Sequence, residues 1–263
     1  MSGRHGGKDF WLGALKTEVA DFRAAAVEAL AADPAIPVPS CPGWTMLDLV
    51  HHVTYVYDRF LSHVSRGVTS DPGLAPISEG TPPSHRPDAD SAIAFFDERA
   101  ERLLTTLAAL DPDMPAWNWA PQAKKVAFWQ RRGALEMAVH RWDAEMALAR
   151  AEPVEEKLAS DGVSEVLDTW LPAGGSRRLG PTDRFGVVHL LADDIGDEWF
   201  VRLRGPGIAL LDTGTLLDGD DPNARVAASG SASDLLLTLF GRVDFDVLDI
   251  DGDETLLEAL RVG

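Results

Sequence analysis

A formal net charge of −18 over 263 residues argues against nucleic acid and anionic membranes as partners, because both bind proteins through basic faces. The composition, 45% hydrophobic and 25% charged, is typical of a folded globular protein. The single cysteine, Cys41, rules out an intrachain disulfide, and the chain has neither an apolar leader nor a run of about 18 apolar residues. We therefore expect a cytoplasmic protein that is a monomer or a weak homo-oligomer.

Four helices are predicted in the first half of the chain, where apolar residues recur at helical spacing. The second helix should begin at Thr45, which can act as an N-cap with Asp48 as its capping-box partner. A long connection rich in Pro, Gly and Ser follows it, at residues 67–87. The predicted helices cover residues 10–32, 45–65, 88–110 and 128–151. Four amphipathic helices predict an all-α four-helix bundle over residues 1–152, an architecture that places metal sites between facing helices.

The character of the sequence changes after about residue 152. A further helix at 156–171 and a Gly-containing stretch after it are interpreted as a linker helix and joint, residues 153–175. Short apolar runs separated by Gly, Asp and Pro turns then predict strands. These strands are expected at 185–191, 199–203, 208–212, 225–228 and 245–250, with short helices at 231–240 and 253–260. Residues 176–263 are thus predicted to form a small α+β domain.

Glu136 and His140 carry the most specific chemical signal in the sequence. Four residues apart on a helix, they lie one turn apart on the same stripe and can reach one divalent cation. Asp143, one turn further on, can accept a hydrogen bond from an imidazole or contact a ligand. A structural alternative is equally compatible with this spacing. In it, Glu136 forms a salt bridge with Arg132, and Asp143 lies on a solvated face.

A third metal ligand is expected from the second predicted helix, which contains His51 and His52. The apolar face of this helix is centred near Val53, and His52 falls about 100° from that direction whereas His51 falls about 160° away. We therefore predict that His52 is the ligand and that His51 points to solvent as a bystander. Two imidazoles and one carboxylate leave coordination positions open, as in catalytic rather than structural metal sites.

Two other features favour structural interpretations. Cys41 has no basic neighbour in the sequence, so it is predicted to be a small buried residue rather than a nucleophile. The tryptophans Trp117, Trp119 and Trp129 are predicted either to pack the bundle or to line the mouth of the site.

Three separated blocks of sequence resemble one known family. They are CPGWTMLDLVHHV at 41–53, EMAVHRWDAE at 136–145 and GSASDLLLTLFGRVDFDVLDIDGDETLLEAL at 230–260. In this order they resemble mycothiol-dependent maleylpyruvate isomerase-like proteins, over nearly the whole chain. The resemblance implies a DinB-like four-helix metal-binding bundle followed by a small domain of sterol-carrier-like fold.

The resemblance also implies a set of functional residues. The metal ligands of the family fall on His52, Glu136 and His140, with zinc as the expected ion and mycothiol as the thiol cofactor. A catalytic arginine of the C-terminal domain falls on Arg242. The implied reaction is attack of the mycothiol thiolate on an electrophilic small molecule, leading to isomerisation or to S-transfer.

Two other function classes remain open from the sequence. In a metal-assisted hydrolase, bound water rather than a thiolate would attack the substrate. In a non-catalytic binding module, the C-terminal domain would take a small ligand and the bundle would have no chemical role.

Overall fold

The structure, a computed structural model, describes residues 6–73, 88–174, 179–211 and 224–263. The chain divides into two compact units, Gly6–Glu152 and Pro153–Gly263. Three parts of the prediction lie outside the described residues: residues 74–87 of the connection predicted at 67–87, the last residue of the linker and joint predicted at 153–175, and the last residue of the strand predicted at 208–212. None of the described helices combines the length and the apolar character that a membrane-spanning segment needs.

The first unit is a bundle of four long helices, as predicted. They are α1 (Lys8–Ala32), α2 (Met46–Val64), α3 (Ala89–Ala109) and α4 (Val126–Met146). Helix α4 lies against α1 and α2, and α2 also packs on α3. The aromatic side chains Phe22, Tyr57, Phe96 and Trp129 fill the centre of this core.

Helix α4 differs from the prediction in two ways. It ends at Met146 rather than near residue 151, and Ala149 just beyond adopts a positive φ of 53°, which an α-helix does not accommodate. It is also buried on almost every face instead of being amphipathic. Its many polar side chains therefore lie inside the unit and require partners there.

The start of α2 matches its predicted capping box. The Thr45 hydroxyl accepts a hydrogen bond from the Asp48 backbone N–H at 3.2 Å, and the Asp48 carboxylate accepts one from the Thr45 N–H at 2.9 Å. The preceding turn is closed by the Val38 N–H, which donates to the Trp44 carbonyl at 2.9 Å. These bonds fix the first turn of α2 and the residues just before it.

The second unit is a sheet with helices, so the predicted α+β class is observed. Its strands are β1 (Phe185–Ala192), β2 (Asp197–Arg204), β3 (Gly207–Leu211), β4 (Arg225–Gly230) and β5 (Asp249–Gly252), in the spatial order β3-β2-β1-β4-β5. Only the β1–β4 pair is parallel; the other three pairs are antiparallel.

Helical segments complete the second unit. Helix α5 (Glu156–Glu165) continues through a π-helical turn (Val166–Trp170) into the short α6 (Leu171–Ala173), and α7 (Ala232–Leu239) follows β4. Because α5 packs against α7, it belongs to the same compact unit as the sheet. The division of the chain at 152/153 and 175/176 into functional domains stays a prediction.

The last two predicted elements are corrected by the structure. Residues predicted as one strand, 245–250, form a 3-10 turn at Phe245–Val247 before β5 begins. The predicted final helix is a 3-10 helix, Glu254–Leu260. The Asp253 side chain accepts a hydrogen bond from the Thr255 N–H at 3.1 Å, and this bond holds the start of the tighter helix.

Candidate metal centre

Three donor side chains of the first unit converge on one point. His52 lies on α2, and Glu136 and His140 lie one turn apart on α4; one ligand atom from each is within 4.8 Å of the other two. Glu136 Oε1 is 3.3 Å from His140 Nε2 and 3.7 Å from His52 Nε2. Ligands bound tetrahedrally at about 2.1 Å from zinc lie about 3.4 Å apart. The spacing of the three donors therefore fits a first-row divalent ion.

Asp143 holds the His140 ring in the orientation that such a site needs. His140 Nδ1 is 2.9 Å from Asp143 Oδ2, and the Asp143 side chain is fully buried. A carboxylate at this distance favours the tautomer with its proton on Nδ1, which leaves Nε2 free to bind an ion. The alternative in which Asp143 lies on a solvated face is wrong.

Glu136 is held in its ionised form. Burial by itself would raise the pKa of this carboxyl, but the Arg132 charge and the hydrogen bonds with His140 and His52 outweigh burial and bring the pKa well below its ordinary value. Arg132 Nη2 lies 2.5 Å from Glu136 Oε2, so the salt bridge and the approach to the histidines exist together on different oxygens. Glu136 thus supplies one negative charge to the centre.

His140 carries a proton when the centre holds no cation. Burial lowers the pKa of His140, but the hydrogen bonds and charges of Asp143 and Glu136 overcome this effect and raise the pKa to about 9. A metal ion that binds Nε2 must displace this proton. The binding of a metal ion at the centre therefore depends on pH.

The centre is buried but not sealed within the first unit. The side chains of His52 and Glu136 are 14% and 15% exposed, and that of His140 is 8% exposed. The Trp44 ring packs against His52, with ring centroids 4.9 Å apart, and the rings of His52 and His140 are 5.0 Å apart. The three donor side chains are thus held by packing contacts and remain partly accessible to solvent. Such a site suits an ion that also binds a ligand.

The prediction that His51 points to solvent is wrong, because His51 is only 5% exposed. The prediction assumed that only the apolar face of α2 around Val53 is buried. In the bundle, α2 packs against both α3 and α4, so a second side of the helix is also covered. His52 nevertheless is the histidine that approaches Glu136 and His140.

Cys41 was predicted to be a small buried residue, and it is buried. Its neighbour, however, could not be inferred from the sequence. Cys41 Sγ lies 3.5 Å from Asp143 Oδ2, the same oxygen that binds His140 Nδ1. The only available signal was that Cys41 belongs to the turn that leads into α2.

The three tryptophans pack the bundle. Trp129 is buried, and its indole Nε1 donates to the Trp117 carbonyl at 2.9 Å. Trp119 packs edge-on against Phe128, with ring centroids 5.8 Å apart. These contacts agree with the predicted packing, and the lining of the mouth of a site by these rings stays a prediction.

Arg242 lies in the second unit, just after α7. Its guanidinium Nη1 donates to the Phe240 carbonyl at 3.1 Å. Its catalytic role stays a prediction.

Each of the two units matches one domain of a known protein family. Residues 15–145 match the family model described as the mycothiol maleylpyruvate isomerase N-terminal domain, and residues 157–259 match the C-terminal domain of the same family. A crystal structure of the mycothiol-dependent maleylpyruvate isomerase aligns with a TM-score of 0.59 and 13% identity, covering 93% of this chain and 92% of that one. A histidine-to-alanine mutant of that enzyme aligns with the same values. No curated protein matches this chain by sequence.

Proposed function

Because the chain belongs to the mycothiol-dependent maleylpyruvate isomerase family, we propose that it is a metal-dependent enzyme that uses mycothiol as the nucleophile on an electrophilic small molecule. The observation that carries this proposal is the convergence of His52, Glu136 and His140, with one ligand atom of each within 4.8 Å of the others. We expect the enzyme to act in the cytoplasm, as a monomer or a weak homo-oligomer.

The proposed metal ligands are His52, Glu136 and His140. Two imidazole nitrogens and a carboxylate oxygen suit zinc, although this donor set also accepts other first-row ions. A divalent ion bound there would lower the pKa of a thiol that enters the open coordination position. Mycothiol would supply the sulfur nucleophile, either for isomerisation of an activated double bond or for S-transfer.

The surrounding side chains prepare this centre. Asp143 would keep His140 Nε2 available to an ion, and the Arg132 charge favours the ionised form of Glu136 that could serve as a ligand. The Trp44 ring limits the movement of the His52 imidazole. Arg242 is proposed as the cationic group that supports an acidic substrate, following the resemblance of its sequence block.

The first experiment measures metal content and thiol dependence together. Purified protein is stripped with EDTA, reloaded with zinc, and assayed on an electrophile, maleylpyruvate or 1-chloro-2,4-dinitrobenzene, with and without mycothiol. We expect about one zinc per chain and turnover that requires both zinc and mycothiol. Zinc-dependent hydrolysis that ignores mycothiol would instead identify a hydrolase. Absence of zinc binding would favour a non-catalytic binding module.

Matched variants distinguish the loss of a proposed metal ligand from the loss of a histidine elsewhere in the chain. His52→Ala should lose both zinc and activity. His189→Ala removes a partly exposed histidine of β1 whose ring stacks on Phe200, in the second unit, and should retain both. Arg242→Gln should keep zinc while its kcat/KM for an acidic electrophile falls. A zinc-replete and fully active His52→Ala variant would refute the proposed ligand set.

A further inference from the structure

Two polar atoms on α2, away from the metal centre, are buried and have no hydrogen-bond partner among the residues that the structure describes. They are Arg59 Nε and His63 Nδ1, which lie four residues apart and hence on the same side of the helix. No described residue forms an ion pair with Arg59. Because a buried N–H without a partner costs free energy, such groups in a folded protein call for an explanation.

Arg59 is half-buried, where an unpaired charge costs more free energy than at the surface. The neighbouring carboxylate in sequence, Asp58, is bound to Arg99 at 2.7 Å. The described chain offers acidic partners to many other arginines: Arg23, Arg99, Arg132, Arg141, Arg150 and Arg261 each pair with a carboxylate. Because no described residue supplies a carboxylate to this half-buried arginine, its guanidinium is available to an anionic partner.

His63 packs against the rings of two tryptophans. The residue is 3% exposed, and its ring stacks on Trp129 with ring centroids 4.8 Å apart and an interplanar angle of 12°. The centroid of the Trp117 ring lies 5.0 Å from that of His63, at an interplanar angle of 40°. The Trp129 indole is fixed by its hydrogen bond to the Trp117 carbonyl. Aromatic walls with a few directed polar groups are typical of sites for small organic ligands.

The charges around His63 agree with this interpretation. Burial, together with the charges of Arg59 and Arg66, lowers the pKa of His63 to about 4, and Asp71 opposes them only weakly. The local surroundings are therefore net positive within a strongly acidic molecule. A positive and partly desolvated environment favours an anion.

We propose that Arg59 and His63 form a subsite for an oxyanion, a carboxylate or a phosphate group, on the face of α2 that also carries His52. Arg59 follows His52 by seven residues, which is two helical turns or about 10 Å along the axis. This separation matches a small organic molecule whose reactive carbon lies at the metal centre and whose anionic group lies at Arg59. The assignment of that molecule as the substrate rests on the proposed function, whereas the binding of an anion does not.

The test uses metal-free protein, so that an anion cannot bind through a metal ion. Succinate and inorganic phosphate are titrated into EDTA-treated full-length protein, and binding is followed by calorimetry and by the fluorescence of the tryptophans next to His63. We expect saturable binding of at least one probe, weakened at least about tenfold in Arg59→Gln and in His63→Gln. Succinate binding identifies a carboxylate subsite, and phosphate binding alone identifies a phosphate subsite.

Arg102→Gln is the matched control, because Arg102 is an exposed arginine of α3, and this variant should bind the probes as the wild type does. Thermal unfolding shows whether His63→Gln still folds; Arg59→Gln decides the question if it does not. Equal affinities in the wild type and Arg59→Gln, or no saturable binding of either probe to the wild type, would overturn the proposal.

A second measurement separates this inference from the proposed function. With zinc and mycothiol present, Arg59→Gln should raise KM about tenfold for an acidic electrophile and leave kcat and the zinc content unchanged. The methyl ester of the same electrophile should show no such difference. Anion binding that depends on Arg59, in a protein without thiol-dependent turnover, would refute the proposed function and retain the subsite.

Discussion

Asp143 Oδ2 lies 2.9 Å from His140 Nδ1 near the end of α4, and the carboxylate is fully buried. The opposite nitrogen of the ring, Nε2, faces Glu136 at 3.3 Å. A carboxylate behind a ligand histidine fixes both its tautomer and its orientation. Asp143 is thus the side chain that turns His140 from a buried histidine into a candidate ligand.

Asp143→Asn should weaken zinc binding about 10- to 100-fold while the helical content stays unchanged. The amide keeps the shape of the side chain but loses the negative charge that favours the proton on Nδ1. Zinc affinity is measured by competition with a fluorescent chelator. Asp113→Asn removes an exposed carboxylate that pairs with Lys125 and should have the wild-type affinity. Unchanged zinc binding by Asp143→Asn would show that His140 needs no support.

Neighbouring histidines on α2 should behave in opposite ways. His52→Ala is expected to lose zinc with little change in stability, because its side chain is partly exposed. His51→Ala is expected to retain zinc and to lower the free energy of unfolding by about 1–3 kcal/mol, because it empties a buried position. Zinc content and urea unfolding distinguish them. Loss of zinc in His51→Ala alone would mean that the ligand on α2 had been wrongly assigned.

Much of the first unit could be predicted because its signals are local. The capping box at Thr45 and Asp48 lies within one turn, and its bonds are present as expected. The pairing of Glu136 with His140 follows from helix geometry alone, since residues four apart share a face. Such features depend on the spacing along one segment and not on how the segments pack.

The errors concern features that depend on how the helices pack against one another. A helical wheel cannot show how many sides of α2 are covered, so the buried His51 was predicted to point to solvent. The contact between Cys41 and Asp143 joins residues 102 positions apart, and no local pattern reveals it. That no described residue bonds the Nε of Arg59 was likewise beyond prediction, because the sequence does not show that Asp58 binds Arg99.

Zinc affinity should rise with pH in the neutral range. The pKa of His140 in the metal-free protein is raised to about 9, and binding at Nε2 requires loss of that proton. Below pH 9 the apparent affinity is therefore expected to rise about tenfold per pH unit, since Glu136 is already ionised. Affinities measured at pH 6.5, 7.5 and 8.5 test this slope. A flat profile would mean that the metal-free His140 is already neutral.

The metal-free protein should in turn lose stability as the pH rises. The folded pKa of His140, about 9, exceeds the ordinary value of 6.5, so the folded state holds the proton more tightly. The stabilisation is complete below pH 6.5 and is lost as the pH rises through 9; it amounts to on the order of 3 kcal/mol. Urea unfolding in EDTA at pH 6 and pH 9.5 measures it. His140→Gln, which has no titrating group there, should show a smaller difference.

His63 is expected to produce the opposite pH dependence. Burial and the charges of Arg59 and Arg66 lower its folded pKa to about 4, below the ordinary value of 6.5. The unfolded chain therefore binds more protons between these values, and the free energy of unfolding falls as the pH is lowered from 6.5 to 4. The loss should be on the order of 2 kcal/mol, after allowance for solvent screening of the exposed Arg66. His63→Gln should remove it.

The same pH dependence should respond to an anion at Arg59. A bound carboxylate next to His63 favours the imidazolium and raises its pKa, so saturating succinate should reduce the loss of stability between pH 6.5 and 4. In Arg59→Gln, succinate should have little effect, because the anion is no longer held beside the ring. An equal effect of succinate in both proteins would indicate general binding of carboxylate rather than action at His63.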